Sequence, residues 1–154
     1  MNTDKFKLLL KRITELTRSL VYPINPTEAS NTKEQDWLRG YRCLVHAEIE
    51  SYFEGVAEEL ILIALNKWKT SGVSSRALTA LASFSKRKLN SIENYWANSA
   101  NHKYLNITDR MQECVNAYIG MLDSNHGIKE ENLLNILLPI GILFDEIDNT
   151  WLNT

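Results

Sequence analysis

The stretch LRGYRCLVHAEIESYFEGVAEELI, residues 38–61, decides how the rest of the chain is read. Tyr41, Val45, Ile49, Tyr52, Phe53 and Val56 recur every three or four residues, the spacing of one face of an α-helix. Extended outward, the same stripe takes in Trp37, Leu60 and Ile63, and no proline interrupts it. One long helix over about 32–69, roughly 55 Å from end to end, is therefore expected as the spine of the molecule. Gly40 and Gly55 are its weak points and candidate bends.

The flanks support an all-α reading. Phe6, Leu9, Leu10, Ile13, Leu16 and Leu20 form an earlier helical stripe, with Thr3 as its cap and Asp4 in its first turn. VYPINPTEASN breaks that helix through its prolines, and Asn31 or Thr32 starts the next. TSGVSS ends the long helix, and Ser74 or Ser75 caps a short one containing Leu78, Leu81 and Phe84. A further helix is expected over about 107–122, with Ile107, Met111, Cys114, Tyr118 and Met121/Leu122 as its stripe. SNHG closes it, and KEENLLNILL makes a short helix stopped by Pro139 and Gly141. DEIDNTWLNT starts one more helix, and residues 85–107 read as a long polar connection. With six Gly and three Pro in 154 residues, a turn-rich β fold is disfavoured. The expectation is a single domain over 1–154 with at least four helices and no sheet.

The formal net charge of −2 carries no global basic field. The charge is uneven, at +3 over residues 1–20, +4 over 70–110 and −6 over 111–154. That pattern fits either ordinary surface variation or a basic groove in an acidic scaffold. Cys43 and Cys114 match no metal or redox spacing and are expected as small buried thiols in a reduced, cytoplasmic protein. The start of the chain lacks a signal peptide's apolar core, and no apolar run is long enough to span a bilayer.

Chemistry concentrates on the long helix. At 100° per residue, with Arg42 at zero, His46 falls near 40°, Arg39 near 60° and Glu50 near 80°. This arc borders the apolar stripe, so Arg39, Arg42, His46 and Glu50 are expected at a helix seam facing a cleft. Glu50, one turn on, would orient His46, and either arginine could hold a phosphate. The alternative is a seam of salt bridges around a hydrogen-bonded histidine. Arg39 and His46 also satisfy a loose pattern of an arginine and a histidine separated by six residues. Lys86, Arg87 and Lys88 are either a cationic helix end or a nucleic-acid phosphate contact, with Tyr95 and Trp96 as stacking candidates. His102 and His126 sit in or beside polar loops without partners at metal-ligand spacing. Glycine-rich phosphate loops and the GxSxG nucleophile motif are absent.

Residues 38–61 resemble the first long helix of HEPN proteins of the RiboL-PSP type, in which a His and a Glu lie one turn apart. SNHGIKEENLLNILLPIGILFDEIDNTWLNT, residues 124–154, is similar to a later segment of the same group. The resemblance implies a small all-α HEPN-like bundle, usually a homodimer, that acts on RNA without metal or cofactor. Many such proteins are endoribonucleases in toxin–antitoxin, antiphage or RNA-processing systems. It implies a ribose 2′-hydroxyl nucleophile, a cyclic phosphate product, a histidine in acid–base work and an arginine on the phosphate. The group's arginine–histidine pair belongs to an RN…AH or RG…AH motif in a later helix, which these residues do not contain. The expectation is thus a chain cut before that helix, or a relative that keeps the fold for binding, with Arg39, Arg42, His46 and Glu50 supporting the site. Direct catalysis by that set is the third possibility. The rival from another class is a non-catalytic helical module bound to an antitoxin or defence-complex protein.

Overall fold

The structure is a computed structural model, and it describes residues 3–22, 31–85, 107–143 and 146. The fold is all-α, as the stripes require, and no strand occurs among the described residues. Helix α1 is Asp4–Leu20, α2 is Thr32–Ser71, α3 is Arg76–Phe84, α4 is Ile107–Leu122 and α5 is Glu130–Leu137. A 3₁₀ turn, Leu138–Ile140, follows directly. Lys86, Arg87, Lys88, Tyr95, Trp96 and His102 lie outside the described residues, as does nearly all of the expected last helix.

The helix starts are set by local side chains. Thr3 Oγ1 accepts the Phe6 N–H at 3.3 Å, and Ser75 Oγ accepts the Leu78 N–H at 3.3 Å. At the start of α2, Asn31 and Glu34 cap each other reciprocally, each side chain accepting the other's backbone N–H at 3.0 Å. These bonds satisfy amide donors that the first helical turn leaves without carbonyl partners.

The chain divides into two compact units. The first comprises Met1–Val56 and Asn125–Leu133. Within it α1 and the first half of α2 run antiparallel, which four contacts establish in turn. Lys5 Nζ donates to the Gly55 carbonyl at 2.8 Å, and the Phe6 and Tyr52 rings meet edge-on with centroids 6.0 Å apart. Arg12 Nε reaches Glu48 at 2.9 Å, and the Thr17 and Tyr41 hydroxyls lie 3.1 Å apart. As the α1 number rises the α2 number falls in step, so the pair is a helical hairpin with Leu16 buried in it.

The second unit comprises Ala57–Ser124 and Leu134–Thr154. Its core is built on Ile61, Leu78, Val115 and Ile136, all fully buried, with Ala57, Leu65, Leu81, Leu122 and Ile140 around them. Here the sequence stripe fails in one respect. Leu60 and Ile63, expected as core, are 37% and 62% exposed, while Ala57, Ile61, Ala64 and Leu65 are the buried positions. The run LILIAL is apolar all the way round, so its period marks a helix without saying which side is covered. Cys43 likewise departs from expectation: it is exposed, and only Cys114 is buried.

α3 packs on α4 and on the 3₁₀ turn. Tyr118, on α4, donates its hydroxyl to the Ile136 carbonyl at 2.6 Å, and burial raises the pKa of that hydroxyl above the ordinary tyrosine value. Tyr118→Phe removes the donor and leaves a buried carbonyl unsatisfied. Its expected cost is about 1–2 kcal/mol, read as a lower denaturation midpoint with an unchanged slope. An unchanged midpoint would show that water replaces the hydroxyl. Arg76 clasps Glu146 through two 2.6 Å bonds. The Arg76 bond, reinforced by the Leu143 N–H, holds the Glu146 carboxyl down at about 2.

Candidate nucleic-acid interface

Arg39, Arg42, His46 and Glu50 all lie on the first-unit half of α2, on the arc that helical geometry assigns them. The structure does not bury them together. Arg39, Arg42 and His46 are exposed, and only Glu50 is half-buried. The expected seam is therefore confined to Glu50. The reason is which face α1 covers. Its contacts fall on Tyr41, Glu48, Tyr52 and Gly55, roughly two-fifths of a turn away from the arginine–histidine arc.

Arg39 pairs with Asp36 at 3.0 Å across one turn, with both side chains well exposed. Such a pair contributes little stability. Arg42 and His46 have no hydrogen bond or ion pair among the described residues, and nothing joins His46 to Glu50. The expected partnership of Glu50 with His46 is thus not what the carboxylate does in this structure.

Glu50 instead accepts the backbone N–H of Gly127. One turn further along α2, Glu54 Oε1 accepts from Asn125 Nδ2 at 3.2 Å. Asn132 Nδ2, in α5, donates to the His126 carbonyl. Three side chains thus grip a loop of five residues, 125–129, that leaves α4 and enters α5. Gly127 has φ +99°, a backbone state that only glycine adopts without strain. The two stretches that carried the family resemblance, HAEIE and NHGIK, are brought together by these bonds.

Glu54, Asn125 and Asn132 were not among the residues singled out from the sequence. A faint signal existed in Glu50 and Glu54, two carboxylates one turn apart on the same ridge as His46. Their partners are 71 and 77 positions away, and one of them is a backbone amide, which has no side-chain signature.

An open groove of about 460 Å³ lies elsewhere in the first unit, between α1 and α2. Leu8, Leu9 and Tyr52 line it, together with Lys5, Lys11 and Arg12. Arg12 is held there by Glu48, whose hydrogen bond raises the arginine pKa, with Glu15 adding to the effect. The groove contains none of the arginine–histidine arc.

Among the described residues the chain is all-α, and its long helix holds the Asn-His-Gly loop through Glu50 and Glu54. A model of the RiboL-PSP-HEPN family matches residues 7–154, so the chain belongs to that family. No curated protein and no solved structure matches it. No helix among the described residues is long and apolar enough to cross a membrane.

Proposed function

We propose that this HEPN protein binds single-stranded RNA through the exposed arc of α2 and serves in RNA processing or defence. Arg42 and Arg39 would hold a phosphate, and His46 would stand beside it. The observation that carries the reading is that Arg42 and His46 are exposed and have no hydrogen bond or ion pair among the described residues, although a stabilising seam would have paired them. A free guanidinium binds phosphate through two parallel bonds. An imidazole titrates near neutral pH and can move a proton to or from a ribose oxygen. Catalysis extends the reading. The 2′-oxygen attacks the adjacent phosphorus as its proton leaves, the P–O5′ bond breaks, and the 5′-oxygen takes up a proton. The products are a 2′,3′-cyclic phosphate and a 5′-hydroxyl.

The test has two parts. Purified protein is incubated with total RNA in the presence of a chelator, and the ends are screened for cyclic phosphate. Affinity for a labelled uridine 12-mer is measured by anisotropy for wild type, Arg42→Ala, Arg42→Lys and His46→Ala. Arg42→Ala is expected to weaken binding about tenfold, the scale of one charge-assisted contact, with the melting temperature held within a few degrees. Arg42→Lys restores the charge without the fork and should recover only part. Unchanged affinity in all three variants sinks the proposal. Binding without cyclic ends supports the second reading, a non-catalytic RNA-binding relative.

A further inference from the structure

The 125–129 loop has a direction relative to α2. Asn125 meets Glu54, and Gly127 meets Glu50, one turn nearer the helix start. Two residues of loop thus descend about 6 Å along α2, from the level of Glu54 to that of Glu50, which lies one turn from His46. His126, between the two anchors, is exposed, and so is Lys129. The peptide group that follows His126 is fixed at both its ends: Asn132 holds its carbonyl, and Glu50 holds its N–H.

Electrostatics points the same way. Glu50 and Glu54 would by themselves put two carboxylates beside the arginine–histidine arc and repel phosphate. In the structure each is engaged by an amide donor of the loop. The loop covers that acidic edge and adds one imidazole and one ammonium group to the surface. A connection serving only to join α4 to α5 needs no carboxylate grip from a third helix, and anchored loops on rigid helices are where binding residues concentrate.

We propose that the 125–129 loop is the second wall of the RNA site. His126 and Lys129 contact the RNA backbone together with Arg42 and His46, while Glu50 and Glu54 are positioning residues that hold the loop in place. This inference rests on the RNA-binding reading above and adds residues to the same site.

The experiment uses the full chain and the labelled uridine 12-mer over a series of salt concentrations. Lys129→Ala should weaken binding and make the plot of log affinity against log salt shallower by about 0.7, the loss of one phosphate contact to a single strand. His126→Ala should weaken binding about fivefold, a fraction of a full charged contact. Glu50→Ala gives the deciding sign. It deletes a negative charge beside a polyanion, so charge alone predicts tighter binding, whereas loss of the loop predicts weaker binding. Alanine suits a helix interior, and circular dichroism checks that α2 survives. Lys11→Ala, in the α1 groove, is the control and should leave affinity unchanged. Tighter or equal binding by Glu50→Ala overturns the inference. So does an unchanged salt slope in Lys129→Ala with unchanged affinity in His126→Ala, a result that does not depend on how Glu50→Ala folds. Wild-type protein that fails to bind RNA overturns the RNA reading and this inference together. Wild-type binding that the loop substitutions leave untouched overturns the inference alone.

Discussion

Gly141→Ala is expected to destabilise the second unit by about 3 kcal/mol, from the sum of two penalties that cannot relax together. Gly141 ends the 3₁₀ turn at φ +79° and ψ 18°, with its N–H bonded to the Leu138 carbonyl at 2.9 Å. An L-residue in that left-handed state costs roughly 1–2 kcal/mol. The second penalty is space. A Cβ built on Gly141 meets Ala80 Cβ at 3.0 Å and Arg76 Cγ at 3.3 Å. The arginine stem can shift, but its head is clasped by Glu146. Ala80 has no rotamer to change, so α3 itself would have to move. Overpacking of that kind costs about 1–3 kcal/mol. For a chain of this size the melting temperature should fall by roughly 6–12 °C. Gly120→Ala is the contrast: nothing lies within 4 Å of its added methyl, and it sits inside α4. It should be neutral or slightly stabilising. If Gly141→Ala melts with wild type, the tight approach of the turn to α3 is wrong.

The same position shows why parts of this fold were legible in the sequence. Gly141 was read as a stop after a short apolar helix, and it is one, because a glycine after a proline-bearing turn is a local signal. Thr3, Asn31 and Ser75 were readable as caps for the same reason: cap and capped amide lie three residues apart. The helix over 107–122 carried its own period and was located to the residue. Burial on α2 was harder. Whether Leu60 or Ile61 is core depends on which neighbour covers that side, and no local pattern encodes the neighbour. The family match adds the fold class without adding that detail.

The candidate site divides along the same line. The arc of Arg39, Arg42, His46 and Glu50 follows from helical spacing, and the structure keeps those positions on α2. Their exposure does not follow from it, since α1 packs on the Tyr41–Tyr52 side and leaves the arc outside. The largest change concerns Glu50. The sequence suggested a carboxylate that orients the histidine one turn away. The structure gives it a backbone amide from the far end of the chain. What a sequence could offer for that contact was the glycine itself, a residue that allows an amide to be turned toward α2 at φ +99°.

Gly127→Ala tests that amide. A side chain at φ +99° costs about 1–3 kcal/mol, and its Cβ would stand 3.2 Å from Asn132 Nδ2, the atom that holds the His126 carbonyl. Unlike Gly141, this residue lies in a loop rather than against a packed helix, so the chain can escape the strain by releasing the loop from α2. The loss of global stability is then capped by the free energy of undocking. The melting temperature is expected to shift by less than in Gly141→Ala, while RNA affinity falls to the level of Glu50→Ala. Both substitutions break one hydrogen bond, Glu50→Ala by deleting the acceptor and Gly127→Ala by driving the donor amide away from it, so the two should not add. The Gly127→Ala/Glu50→Ala double variant is expected to bind RNA no more weakly than either single variant, leaving a coupling energy as large as the single effect. Additive losses would mean that Glu50 and Gly127 reach RNA by separate routes, and the hydrogen bond between them would then have no part in holding the site.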